Sequence, residues 1–261
     1  MTTHPTTATA ATTRAATTTA AAFAAGATTG LVPVAIALDA PDLATALGWA
    51  RAAGPFLSTI KVGLELFLRH GHESVLATRE ASGGRDVFLD LKLHDIPHTV
   101  AGAAKSVASL APTYLTVHAS GGPDMVRAAV EQLPDTMVVG VTVLTSLSPD
   151  QLAAVGFAGS PRDTVLRLAV LAVEGGARAL VCSPLEVADV RREVGPGVRL
   201  ITPGVRPALV AGATTATDDQ ARVATPEQAL ADGADLLVVG RPLTGAPDVA
   251  RAAEDLARSL R

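Results

Sequence analysis

From residue 31 onward the chain alternates short β-branched or apolar runs with Ala- and Leu-rich stretches of helical length, eight times over. The runs fall at 31–38, 56–60, 86–91, 113–117, 137–144, 179–182, 198–201 and 236–239. The helical stretches fall near 41–53, 71–81, 97–109, 123–132, 161–174, 184–194, 226–232 and 246–260. Parallel strands need a long connection, usually a helix, so this alternation reads as a parallel sheet. Eight such units predict an α/β chain with one (β/α)8 TIM barrel domain over residues 30–261. The competing architecture is an open doubly wound sheet. It would use fewer strands and carry a glycine-rich turn after the first, where this chain has Leu38-Asp-Ala-Pro-Asp42.

Residues 1–29 are a different material, nearly all Thr and Ala, with Arg14 and Phe23 standing out. They lack the basic start and apolar centre of a secretory signal and the arginine richness of a transit peptide. With no amphipathic period, they are expected to be a disordered tail. Elsewhere no apolar segment approaches the roughly 20 residues needed to cross a bilayer, so no membrane partner is expected. A formal charge of −4 offers no basic field for nucleic acid. The single cysteine, Cys182, rules out an intrachain disulfide and fits the reducing cytoplasm. In its apolar run it reads as a small buried residue rather than a nucleophile.

A barrel brings the C-terminal ends of its strands to one rim, where such enzymes build their sites. The polar residues there are Asp39 after the first run, Lys61 after the second, and Asp90 and Lys92 at the third. His118, Thr145, Arg206 and Arg241 follow the fourth, fifth, seventh and eighth. On an extended strand Asp90 and Lys92 share a face. Lysine is scarce: of 21 basic residues only Lys61, Lys92 and Lys105 are lysines. Arginine cannot release a proton near neutral pH and lysine can, which gives these positions a chemical meaning. Asp39, Lys61, Asp90 and Lys92 would alternate in charge, each opposite pair at ~4 Å attracting by about 4 kcal/mol at an effective dielectric near 20. Any one pair could be a structural salt bridge closing the barrel top. The set of four, in a chain that avoids lysine, favours proton chemistry.

The neighbouring residues are less specific. Asp95, just ahead of Pro97, suits a helix cap as well as a site. His94 and His98 are four apart and could share a metal with Asp90 or Asp95. Pro97 between them, a lysine among the ligands and the lack of an HExxH pattern argue against this, and no metal is expected. His118 reads as a hydrogen-bonded structural histidine. Pro203-Gly-Val-Arg206 and Gly240-Arg241-Pro242 follow the last two strands, where barrels commonly bind phosphate. Gly240 would let the backbone approach an anion, and the two arginines offer forked donors. Residues 207–225 have no periodicity and read as a lid.

Taken together, these motifs resemble the orotidine 5′-phosphate decarboxylase family in its bacterial form, over roughly residues 32–258. The most specific is Phe88-Leu-Asp-Leu-Lys-Leu-His-Asp-Ile-Pro97, similar to the family's Asp-x-Lys-x-x-Asp signature. Ala37-Leu-Asp39, Lys61-Val-Gly63, Val117-His-Ala-Ser-Gly-Gly122 and Val143-Leu-Thr-Ser146 support it, with the two phosphate-end motifs. The resemblance implies decarboxylation of orotidine 5′-phosphate to UMP without a cofactor, as the last step of pyrimidine nucleotide synthesis. It makes Lys92 the proton donor to the pyrimidine C6 and sets Asp90 against the departing carboxylate. Lys61 and Asp39 would contact the ribose and Thr145 the pyrimidine edge. Arg206, Gln220, Gly240 and Arg241 would take the phosphate. Asp95, with Ile96 and Thr99, would reach the site of a second subunit in a homodimer. The interval from Arg206 to Gln220 is longer than the family's usual spacing, which leaves Gln220 the weakest of these assignments. Two alternatives stand beside this reading. One is a magnesium-dependent sugar-phosphate decarboxylase or aldolase of the same superfamily; the other is a nucleotide-phosphate binding protein without catalysis.

Overall fold

In the computed structural model, described for residues 30–206 and 224–261, eight parallel strands close into a barrel in sequence order. They are β1 Val32–Ala37, β2 Leu57–Gly63, β3 Asp86–Leu93, β4 Tyr114–His118, β5 Met137–Val141, β6 Ala179–Val181, β7 Arg199–Pro203 and β8 Leu236–Val239. The helices between them are α1 Leu43–Ala53, α2 Leu64–Ala81, α3 Pro97–Val107, α4 Pro123–Gln132, α5 Pro149–Ala154, α6 Pro161–Glu174, α7 Val187–Val194, α8 Pro226–Ala231, α9 Arg241–Thr244 and α10 Val249–Ser259. The barrel unit runs Val32–Arg261. The Thr/Ala segment 1–29 and most of the expected lid, including Gln220, lie outside the described residues. Among the described residues no helix is long and apolar enough to cross a membrane.

Alternation along each strand sorts the core into two shells. Outward residues such as Ile36, Ile60, Leu89 and Leu115 pack under the helices. Inward residues fill the barrel axis: Phe88 and Tyr114 meet edge to face at 5.7 Å, with Met137, Val139, Ile201 and Leu236 around them. The same inward parity continues upward from Phe88 to Asp90 and from Tyr114 to Thr116. A packed floor therefore lies directly beneath the polar rim.

The boundaries differ from the sequence expectation where a strand end carries chemistry. β2 and β3 run two or three residues further than their apolar runs. Lys61 therefore lies inside a strand, paired with Ala37, because ladder pairing outweighs the polarity of a side chain, and Lys92 lies within β3 where its register with β4 shifts. β5 stops at Val141, short of residue 144. There Thr142 turns its hydroxyl onto the Val181 carbonyl at 2.8 Å, and the chain leaves the ladder. Thr145 accordingly sits in the turn that follows, not at the strand end. α2 starts immediately after β2, with a kink at Gly71 (φ 56°, ψ −141°) that hides its first two turns from a periodicity reading. α5 and α9 are short helices that the hydrophobic pattern does not announce; α5 is held by a reciprocal Ser148–Gln151 capping box.

Candidate active site

A cavity of about 520 Å³ opens at the C-terminal end of the barrel, floored by Phe88 and walled by Val141, Val181, Pro203 and Val238. Asp39, Lys61, Asp90, Lys92, Thr145, Arg206, Gly240 and Arg241 all line it. Eight of the nine positions anticipated in this chain's own site thus converge, drawn from strands or loops all round the rim, and the ninth, Gln220, lies outside the described residues.

The four charged residues form one connected array. Lys61 Nζ lies 3.1 Å from Asp39 Oδ1 and 3.4 Å from Asp90 Oδ2. Lys92 Nζ donates to both Asp90 carboxylate oxygens at 2.8 Å. Side-chain exposure falls from 53% at Asp39 to 12% at Asp90 and 8% at Lys61, and stands at 33% at Lys92. The inner pair is therefore nearly dry while the Lys92 ammonium reaches the cavity.

Burial sets the energetics. Desolvation favours the neutral amine of Lys61, but Asp90 and then Asp39 outweigh it and hold its pKa above the ordinary lysine value. Burial likewise works against the Asp90 charge, yet Lys61, Lys92 and a hydroxyl from Thr116 together keep its carboxyl below the ordinary range. Lys61 and Asp90 thus keep their charges against burial through their neighbours in the array.

Two residues that sequence reading did not single out complete the arrangement. Thr116 on β4 donates its hydroxyl to Asp90 Oδ1 at 3.0 Å and accepts the Lys92 backbone N–H at 2.8 Å. Its signal was the one aliphatic hydroxyl in Tyr-Leu-Thr-Val-His, of the same parity as Tyr114 and His118. Gly63 is the other. A Cβ there would lie 2.4 Å from Asp39 Oδ1 and 3.1 Å from Lys61 Nζ, so only glycine leaves room for that pair. Lys92 itself adopts φ 49°, a region that non-glycine residues seldom occupy and that marks functional sites.

The remaining expectations divide. Asp95, Ile96 and Thr99 are exposed on the turn into α3 and its first turn, and they do not line this cavity. Asp95 does not cap α3: the cap position is Ile96, and the Asp95 carboxylate instead accepts the Ile96 N–H at 2.7 Å. Pro97 has already removed one of the amide donors a cap would satisfy. His94 packs its ring against His118 at 5.3 Å, while His98 is exposed on α3. His118 thus finds an aromatic partner where a hydrogen bond was expected, and burial, then His94, then Lys92 lower its pKa. Cys182 is fully buried with its thiol pushed up to about 12, an inert packing residue as expected.

The array can offer an ammonium beside a carboxylate on a dry floor, with arginines across the cavity suited to an anion. A model of the orotidine 5′-phosphate decarboxylase / HUMPS family matches residues 33–256. A protein of Thermobifida fusca named orotidine 5′-phosphate decarboxylase is 66% identical over 230 residues, covering 87% of this chain and 95% of that protein. One of the same name from Frankia casuarinae is 56% identical over 247 residues, covering 88% of each. The crystal structure of orotidine 5′-phosphate decarboxylase from Lactobacillus acidophilus superposes with a TM-score of 0.74 at 34% identity, covering 88% of this chain and 99% of that one.

Proposed function

The chain belongs to the orotidine 5′-phosphate decarboxylase / HUMPS family, and from that premise we infer that it converts orotidine 5′-phosphate to UMP and carbon dioxide, the last step of pyrimidine nucleotide synthesis. The observation that carries the mechanism is the Lys92 ammonium held 2.8 Å from both oxygens of Asp90 inside the cavity.

The bond from C6 to the carboxylate breaks heterolytically and leaves its electron pair at C6, a carbon with no adjacent electron sink. Lys92 stabilises that charge as it develops and then gives up a proton to C6; the neutral amine regains a proton from water. Asp90 holds the ammonium in place and faces the substrate carboxylate. Its charge opposes the ground state more than the transition state, where the carboxylate charge is dispersing. Lys61 and Asp39 meet the ribose hydroxyls, and Thr145 reads the pyrimidine edge. Arg206, Gly240 and Arg241 bind the phosphate, with Gln220 completing it from the lid. Asp95, Ile96 and Thr99 serve the site of a second subunit, which makes the enzyme a homodimer. The setting is the cytoplasm.

The magnesium-dependent sugar-phosphate reading shares the Asp-x-Lys-x-x-Asp core, but relatives 66% and 56% identical to this chain bear the decarboxylase name. Loss of orotidine 5′-phosphate absorbance, followed with purified protein in excess chelator, tests the assignment. Full turnover is expected. Turnover that appears only when magnesium is restored would remove the cofactor-free mechanism, and none under either condition would remove the assignment and leave the sugar-phosphate and binding readings.

A further inference from the structure

β3 and β4 do not run in simple register. Leu89 pairs with Leu115 and Leu93 with Val117, so four steps along β3 are matched by two along β4. The surplus residues bulge around Asp90 and Lys92, opposite Thr116. The Lys92 N–H points to the Thr116 hydroxyl oxygen at 2.8 Å, and that hydroxyl donates its one proton to Asp90 Oδ1 at 3.0 Å. Thr116 is fully buried and is not among the residues lining the cavity. One side chain therefore grips both members of the pair: the lysine by its strained backbone and the aspartate by its carboxylate.

We propose that Thr116 is a positioning residue for proton transfer, its hydroxyl fixing the β3 bulge so that the Lys92 ammonium and the Asp90 carboxylate keep one geometry in the cavity. The inference rests on the assignment of Lys92 as proton donor. A threonine that served packing alone would act through its methyl and its volume, and its loss would appear in stability. A hydroxyl that fixes geometry acts on the reaction, where small displacements of a reacting group are costly.

Thr116→Val keeps the shape and removes the hydroxyl; Thr116→Ser keeps the hydroxyl and removes the methyl. In steady-state assays Thr116→Val is expected to lose kcat by about 10- to 100-fold with KM changed by less than ~3-fold. Thr116→Ser is expected to stay within ~3-fold of the parent in both. The acid limb of the kcat profile should move to higher pH in the valine variant only, since Asp90 loses a donor there. The other groups facing Asp90 are Lys61 from β2, Lys92 from β3 and His118 from β4. Should circular dichroism show Thr116→Val unfolded, Thr116→Ala takes its place in the same comparison. Parental kcat without the hydroxyl, equal losses in the valine and serine variants, or a loss confined to KM would each overturn the proposal. Lys92→Ala is assayed in parallel. If it turns over normally, the donor assignment fails and the Thr116 inference falls with it; if it is inactive while Thr116→Val is unimpaired, only the Thr116 inference fails.

Discussion

Lys92 has three properties that no other described lysine combines. It has a backbone φ of 49°, a carboxylate gripped at 2.8 Å through both oxygens, and a head that reaches the cavity. Lys61 is more deeply buried and sits between two acids, an arrangement suited to holding charge rather than giving up a proton. Lys92→Ala should therefore lower kcat by at least about 10³-fold, the range of a lost general acid combined with a lost electrostatic partner. UMP should still bind, because Arg206, Gly240 and Arg241 across the cavity are untouched. Titration calorimetry with UMP beside the decarboxylation assay separates the two quantities; retained turnover would transfer the donor role elsewhere. Lysine scarcity made Lys61 and Lys92 legible in the sequence. Gly63 was legible only as part of a motif, since its reason is a Cβ clash with a residue 24 positions earlier. Thr116 left only the signal of its strand parity, because its contacts to Asp90 and Lys92 depend on a register slip between two strands.

At the scale of elements, the array ties the tops of β1, β2, β3 and β4 together through Asp39, Lys61, Asp90 and Thr116, and its stability depends on pH with a definite sign. Asp90 has a folded pKa below its ordinary 3.8. Its contribution is complete above that value and fades as pH falls through the folded pKa. Lys61 has a folded pKa above its ordinary 10.5, so its contribution is complete below that value and fades as pH rises through the folded one. Between these limits Asp90 and Lys61 are both charged. Asp90→Asn, which leaves Lys61 with Asp39 alone, should cost about 3 kcal/mol across the neutral range, as expected when one partner of a buried pair is removed. That difference should shrink as pH falls from 3.8 through the lower folded pKa, where Asp90 takes up its proton in the parent. On the alkaline side the parent should lose more stability than the variant as pH rises above 10.5, because the Lys61 pKa is held up less once Asp90 no longer attracts its ammonium. Denaturant unfolding of both proteins across pH measures all three effects. A difference that stays constant into strong acid would mean that folding does not lower the Asp90 pKa.

The whole molecule follows from alternation: eight apolar runs and their helices predicted a barrel, and the strands close in sequence order. Short-range irregularities escaped the pattern, namely the kink at Gly71, the early end of β5 and the two short helices α5 and α9, because capping and close contacts decide them rather than periodicity. One group of site residues was named from resemblance and stands apart from the cavity in a single chain: Asp95, Ile96 and Thr99. Ile96 is 65% exposed although apolar, and Asp95 spends its carboxylate on the next backbone N–H rather than on a helix cap. Both facts fit a segment whose partner is another copy of the chain, and two-fold symmetry would then make each site borrow from its neighbour. Mixing provides the test. Asp95→Ala and Lys92→Ala homodimers should each be severely impaired, since every site in them lacks one group. A heterodimer of the two has one site missing both groups and one site with neither missing. After equal mixing and free exchange half the dimers are hybrid, so activity should return to about a quarter of the parental value. The return should follow the exchange rate, measured by subunit-exchange fluorescence. A mixture that stays at the level of its components while exchange is complete would place Asp95 in the same subunit's chemistry or outside the reaction altogether.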